Sequence, residues 1–248
     1  MSLPVAVQLY SIRDEMNRDF VGTLEKVAGI GYKGVEFAGF GGLPASELKK
    51  VLDRLGLAPV GSHTGINLLK ENLDEVIAYN LDIGNRYIIC PHNTYESKED
   101  YVKASQLYNE IGEKICAGGL EFLYHNHDFE FVKYDGEYGF DILFKGAEPQ
   151  NLAAEIDSGW VFYAGHDPAA FIKSYAGRCP LVHIKDFKSR ENRSFTEVGS
   201  GIVDVKAIAA AAEEVGVRWL IVEQDECSIP SLESVQISFN NLKKMGLA

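Results

Sequence analysis

Short apolar and β-branched runs alternate with longer stretches of helical periodicity along the whole chain. The runs Val5–Ser11, Gly34–Ala38, Ala58–His63, Arg86–His92, Glu121–His127, Leu152–Asp157, Pro180–Asp186 and Trp219–Asp225 read as strands. Between them, Phe20–Gly31, Ala45–Leu55, Leu69–Ile83, Lys98–Ala117 and the short Phe140–Lys145 read as helices. Three further helices open at Asp167-Pro168, at Asp204 and at Ser231; the second reaches Gly216 and the third runs toward Lys244. Asp19 and Asp204 have a side chain that can accept from a helix's first free N–H groups, and Gly31 and Gly56 stand where a helix must stop. Pro168 takes a first-turn position, where its missing N–H costs nothing.

Eight strands, each followed by a helix, imply a parallel sheet with crossover helices. The pattern predicts α/β architecture, a single (β/α)8 TIM barrel over residues 1–248. Barrels of about 250 residues fold as one domain. An open dinucleotide-binding sheet would place a glycine-rich turn after its first strand. This chain has Tyr10-Ser11-Ile12-Arg13 there.

Charge narrows the partners. Thirty-six acidic residues face 24 Lys and Arg, a net charge of -12. Nucleic-acid binding needs a basic footprint, so no nucleic acid partner is expected. The apolar runs are too short to span a bilayer, so no membrane partner is expected either. Cys90, Cys116, Cys179 and Cys227 form no C-x-x-C pair, which suits a reducing compartment. With no secretory signal at the start, a cytoplasmic location is expected.

Candidate chemistry lies at the C-terminal strand ends, which share one face in a parallel barrel. Those ends carry Gln8 and Tyr10, Glu36, His63, His92, His125 and His127, Asp157, His183 and Lys185, and Glu223 and Asp225. Of six histidines, only His166 lies elsewhere. Polar groups inside a barrel are costly unless partnered, so their collection at one end points to a site. Imidazole with carboxylate suits one divalent ion of Mn, Zn, Co or Fe better than Mg2+ or Ca2+. The loop Lys185–Arg193, with Lys185, Lys188, Arg190 and Arg193, could steer a phosphate or carboxylate or simply be solvated.

Five segments in order carry a resemblance. Leu123-Tyr124-His125-Asn126-His127-Asp128-Phe129, Ile156-Asp157-Ser158-Gly159-Trp160, Val182-His183-Ile184-Lys185-Asp186, the turn Gly199-Ser200-Gly201 with Asp204, and Val222-Glu223-Gln224 are similar to motifs of the xylose isomerase-like TIM barrels. That superfamily includes sugar phosphate isomerases/epimerases, ketose 3-epimerases, inosose dehydratases and endonuclease IV. The resemblance implies metal ligands at His125, Asp157, His183 and Glu223. It implies a substrate pocket lined by Glu36 and His63, to which the strand-end positions add Gln8, Tyr10, His92 and Trp160. Two positions depart from the family pattern. His125 stands where the epimerases place a glutamate, and Trp160 where many members have a second histidine.

These residues suggest a metal-dependent isomerase or epimerase of a sugar (phosphate) or polyol, working through an enediolate. Glu223 would be the base, and His127 or Lys185 an acid or oxygen clamp. Loss of the second carboxylate leaves a lyase of keto-sugars or inososes nearly equal to it. An endonuclease IV-like repair enzyme is disfavoured by the charge, and a non-catalytic sugar-binding barrel by the retained Asp157, His183 and Glu223. The resemblance also implies a homo-oligomer, of dimer or tetramer size.

Overall fold

The computed structural model describes residues 3–248. Among these residues eight parallel strands close into a barrel: β1 (Val5–Gln8), β2 (Gly34–Phe37), β3 (Ala58–His63), β4 (Tyr87–Cys90), β5 (Glu121–His125), β6 (Ala153–Asp157), β7 (Leu181–Ile184) and β8 (Trp219–Val222). Closure comes from β1, which pairs with β2 on one side and β8 on the other. The expected (β/α)8 barrel is therefore the fold.

Side chains alternate between the two faces of each strand, and this sorts the core into two parts. Val5, Val7, Val182, Ile184, Leu220 and Val222 point outward and bury themselves under the helix ring. Ala6, Ile89, Leu123, Leu181 and Ile221 point inward and form an apolar plug in the barrel. Two residues further along those strands, on the same inward face, come Gln8, His125, His183 and Glu223. The barrel is thus apolar at depth and ionisable at its C-terminal mouth. Register aligns the groups across strands, pairing His125 with Glu155 and Asp157 with His183.

Most expected helices form where periodicity places them, including Phe20–Ile30, Ala45–Leu55 and Lys98–Ala117. Asp19 accepts from the Gly22 N–H and Asp204 from the Ala207 N–H, as capping requires. One helix differs. The expected Leu69–Ile83 is two helices, Ile66–Glu71 and Leu73–Ile83. Asn72 between them leaves the helical region, with φ -135° and ψ 35°. Asparagine competes with helical backbone through its own side chain, and favours such junctions. Several strands are also shorter than their apolar runs. After Gln8 the chain coils into a 3-10 turn over Leu9–Ile12, because the Gln8 side chain accepts the Tyr10 N–H.

Candidate metal centre and substrate pocket

A cavity of about 500 Å³ opens at the C-terminal mouth. Its walls are Tyr10, Ala38, His63, Pro91, His92, His125, His127, Trp160, Glu223 and Asp225. Tyr10, His63, His92 and Trp160, expected to line the pocket, do so. Gln8 and Glu36, expected beside them, are wholly buried and are not among the lining residues. The Gln8 amide donates to Glu36 Oε2 at 2.8 Å. Both lie on strands that are still hydrogen-bonded to their neighbours.

Glu36 and Glu155 instead back the histidines. His183 Nε2–H donates to Glu36 Oε2 at 2.6 Å, and His125 Nδ1–H to Glu155 Oε2 at 3.1 Å. His63 bridges the pair, with Nε2 2.8 Å from Glu155 and 3.2 Å from Glu36. Each imidazole thereby has one nitrogen oriented by a carboxylate. His125 Nε2 lies 3.9 Å from Asp157 Oδ2, and His183 Nδ1 lies 2.9 Å from Glu223 Oε2. Metal-binding histidines commonly have such a carboxylate behind them, fixing tautomer and ring direction.

Asp157 serves two partners. Its Oδ1 accepts from the Trp160 N–H and caps the short helix Ser158–Tyr163. Its Oδ2 is buried and makes no hydrogen bond, although Lys185 Nζ lies 3.0 Å away. The Asn126 side chain accepts the Asp157 N–H at 2.9 Å, tying β5 to β6. Gly159 is required by packing: a Cβ there would stand 2.5 Å from Lys185 Cβ.

Lys185 is wholly buried in a carboxylate cage. Its Nζ lies 2.8 Å from Asp225, 3.0 Å from Asp157 and 3.2 Å from Glu223, with the Trp160 ring centroid at 4.8 Å. Burial opposes its charge, but the three carboxylates outweigh burial and keep it an ammonium. His63 and His183 follow the same logic. Burial disfavours their protonation, yet Glu36 and Glu155 raise His63 to about 10, and Glu155, Glu36 and Glu223 hold His183 well above its ordinary value. Burial and the neighbouring cations drive His125 well below its ordinary value and His127 down to about 3, so both are neutral. Glu223 resists burial and stays ionised because Lys185 and His183 face it. Glu155, Asp157 and Asp225 are raised by burial, with a neighbouring carboxylate adding to each. Five carboxylates, Glu36, Glu155, Asp157, Glu223 and Asp225, share only three cationic groups, Lys185, His63 and His183. The site is short of positive charge.

That deficit, and Asp157 Oδ2, which faces the Lys185 ammonium but makes no hydrogen bond, bear on whether the residues fit the expected ion. His125, Asp157, His183 and Glu223 each offer one atom, all within 4.8 Å of one another, and all four are buried. The set fits a divalent ion. A second group, His63, His125, Glu155 and His183, is equally close-knit; in it Glu155 Oε2 meets His63 at 2.8 Å and His125 at 3.1 Å, while Glu155 Oε1 makes no hydrogen bond. Lys185 is the rival for the first site, since it shares Asp157 and Glu223 with the ion. Lys185→Met is expected to tighten Mn2+ binding about tenfold in calorimetric titration, on the order of one like charge removed at short range. Unchanged or weaker Mn2+ binding would show that the ammonium does not compete.

His127 stacks on Phe129, with centroids 5.5 Å apart, and its backbone N–H donates to Glu130 Oε2 at 2.8 Å. Glu130 also accepts from the Tyr124 hydroxyl at 2.6 Å. Burial pushes this carboxyl up to about 8. Its folded value exceeds its unfolded one, so ionising it costs stability progressively from about pH 4.5 to about pH 8. Glu130→Gln is expected to remove that cost, of a few kcal/mol at pH 8 by the linkage relation. In thermal unfolding the parent should lose more Tm than the variant between pH 5 and pH 8.5; parallel curves would refute it.

Glu155, Asn126 and Glu130 were absent from the expected site. Glu155 had a signal: a carboxylate two residues before Asp157 in an apolar strand shares its face. Asn126 stood within the quoted motif but was given no role; Glu130 acts through the His127 N–H and the Tyr124 hydroxyl, and nothing in its spacing marked it.

With this geometry in view, the relatives are informative. An inosose dehydratase of Lacticaseibacillus casei is 25% identical over 153 residues, covering 55% of this chain and 50% of the relative. The rhizopine catabolism protein MocC of Rhizobium meliloti is 25% identical over 266 aligned positions, covering 91% and 81%. The chain spans about half the length of the inosose dehydratases it matches. A solved sugar phosphate isomerase/epimerase from Parabacteroides distasonis superposes with TM-score 0.79 at 24% identity, covering 98% of this chain and 94% of the other. The relatives' names are those of enzymes, and no helix among the described residues is long and apolar enough to cross a membrane. The model of the xylose isomerase-like TIM barrel family matches residues 24–245, and the chain belongs to that family.

Proposed function

We propose that this barrel is a metal-dependent enzyme that removes the proton α to the ketone of a polyhydroxylated substrate. The observation that carries the reading is the buried His125, Asp157, His183 and Glu223 set, whose atoms lie within 4.8 Å of one another, which is short of positive charge and of which His125 and Glu223 line the pocket. A divalent ion held there would supply Lewis-acid polarisation of a ketone and its neighbouring hydroxyl.

The protein's own groups supply the rest. Glu223, kept ionised by Lys185 and His183, is the base. His127, neutral and on the pocket wall, donates a hydrogen bond to the substrate oxygen as charge develops. Lys185 adds its ammonium charge to that oxygen's surroundings. These roles yield an enediolate with one carboxylate base beside it.

Two-base epimerisation needs a proton donor on the opposite face. That position holds His125, which burial keeps neutral, with Nδ1 committed to Glu155. One-base outcomes therefore fit better: β-elimination, or return of the proton to the neighbouring carbon as an isomerase. Elimination leads, supported by the inosose dehydratases among the relatives. The acidic lining of Glu223 and Asp225 disfavours a phosphodiester substrate of the endonuclease IV kind.

The test is a screen of inososes and keto-sugars with Mn2+, Zn2+, Co2+ or Fe2+ in deuterated water, read by NMR. Loss of water with deuterium at the carbon that lost the hydroxyl supports elimination. Deuterated aldose–ketose interconversion supports the isomerase. C3-epimers would overturn the one-base reading, and no exchange with any metal would overturn the enediolate chemistry.

A further inference from the structure

Elimination needs more than a base. Once Glu223 has taken the α-proton, the hydroxyl on the next carbon must leave, and it leaves far more readily as water than as hydroxide. His127 and Lys185 serve the ketone oxygen, so that second proton needs another donor. The order of strands narrows the search. His125, Asp157, His183 and Glu223 stand at or near the ends of β5, β6, β7 and β8, four consecutive strands of the closed ring. A substrate whose ketone lies against that half, with its α-proton at Glu223, extends its remaining carbons toward the half built by β1 to β4.

The walls of that second half are Tyr10, Ala38, His63, Pro91 and His92. Ala38 and Pro91 have no proton to give. A phenol is a far weaker acid than an imidazolium, which sets Tyr10 behind the two histidines. His63 keeps its proton too well, since against the pull of burial Glu36 and Glu155 raise it to about 10. His92 differs in both respects. It is exposed at the pocket wall, where water can reload it after each turnover. Among the described residues no ion pair engages it, whereas His63 meets two carboxylates. Its ring is nonetheless held, edge-on to His127 and Phe129 with centroids 5.5 and 5.4 Å away. Its backbone is tied on both sides. The Cys90 thiol donates to the His92 carbonyl at 3.7 Å, and the Asn93 amide donates to the buried Tyr108 hydroxyl at 2.9 Å.

We infer that His92 is the proton donor to the departing hydroxyl, acting across the pocket from the Glu223 base. This rests on the proposed elimination. Glu223 takes the α-proton, and the C–H electron pair passes into the enediolate. As the ketone re-forms, that pair makes the bond between the α- and β-carbons double, and the β C–O bond breaks. The His92 imidazolium gives its proton to the leaving oxygen, and water departs. Glu223 is left protonated and His92 neutral, and exchange with solvent restores both.

The test is His92→Gln in the Mn2+-supplemented protein, in deuterated water, with 2-keto-myo-inositol first and then the other ketones of the screen, read by NMR. Dehydration is expected to fall at least about a hundredfold, the lower end for a positioned acid. Recovered substrate should still carry deuterium at the α-carbon, because Glu223 is untouched. His92→Gly should regain dehydration when imidazole is added. Mn2+ affinity of His92→Gln by calorimetry should stay within about threefold of the parent. Dehydration within about threefold of the parent would overturn the role and leave the second proton to Glu223 itself. Parallel loss of exchange and dehydration without imidazole rescue would overturn it as a structural effect. A loss of Mn2+ affinity beyond about tenfold would place His92 with the metal half and overturn it too. A parent that exchanges the α-proton without dehydrating would remove the elimination, and this role with it, while the enediolate chemistry stands. A parent that does neither would sink the proposed function itself.

Discussion

Glu223→Gln is expected to lower α-proton exchange by at least about a thousandfold, within the range that a positioned general base contributes. The replacement keeps the shape of the side chain. His183 Nε2 retains Glu36 at 2.6 Å, and Lys185 retains Asp157 at 3.0 Å and Asp225 at 2.8 Å. The fold should therefore survive, and thermal unfolding should confirm it. Mn2+ affinity should weaken but persist through His125, Asp157 and His183. The measurement is deuterium uptake at the substrate α-carbon, with metal content checked in the same sample. Exchange within about threefold of the parent would remove Glu223 as base and shift attention to Asp225, the other acidic residue of the wall.

Glu155→Ala is expected to cost about 3–5 kcal/mol of stability, the range for removing one partner of a buried ion pair. Glu155 Oε2 lies 2.8 Å from His63, 3.1 Å from His125 and 3.3 Å from His183. Its loss leaves His63 and His183 with Glu36 behind them and His125 Nδ1 without its carboxylate. For a chain of this size the loss corresponds to a Tm lower by about 10 °C. Glu155→Gln, which still accepts hydrogen bonds, should lose less. A Tm within about 2 °C of the parent for the alanine variant would show that the imidazoles shed their protons at no cost. The variant should also weaken metal binding through His125, whose Nδ1 would no longer be oriented; outer carboxylates of this kind are worth about 10–100-fold in affinity.

The barrel was legible in the chain because its two signals are local. Eight apolar runs separated by capped helical segments leave one economical arrangement, and Asp19, Asp204, Gly31 and Gly56 act within a few residues of themselves. Much of the site was legible for a related reason. A parallel barrel brings all strand ends to one face, so His125, Asp157, His183, Lys185 and Glu223 could be grouped from order alone. The break at Asn72 was not legible, since the flanking apolar spacing runs through it.

Depth and protonation are what spacing could not convey. Gln8 and Glu36 sit at strand ends like the others, yet register with Val35, Gly61 and the neighbouring strands sinks them below the cavity. Glu155 lay unnoticed in an apolar run, yet across the barrel it meets three histidines. Lys185 reads as a strand-end clamp at the start of a basic loop, and it is buried among three carboxylates. Asp186 reads as the last residue of a strand, and its carboxylate accepts the N–H groups of Phe187, Gly199, Gly201 and Val203. Residue order determines which chemical groups the barrel mouth receives, because strand period and strand direction are local properties. Which nitrogen a carboxylate orients, which carboxylate is ionised and which N–H groups are already taken depend on distances of about 3 Å between groups 15 to 150 residues apart. Electrostatic and hydrogen-bond energies vary steeply over such distances, and only closure of the barrel sets them.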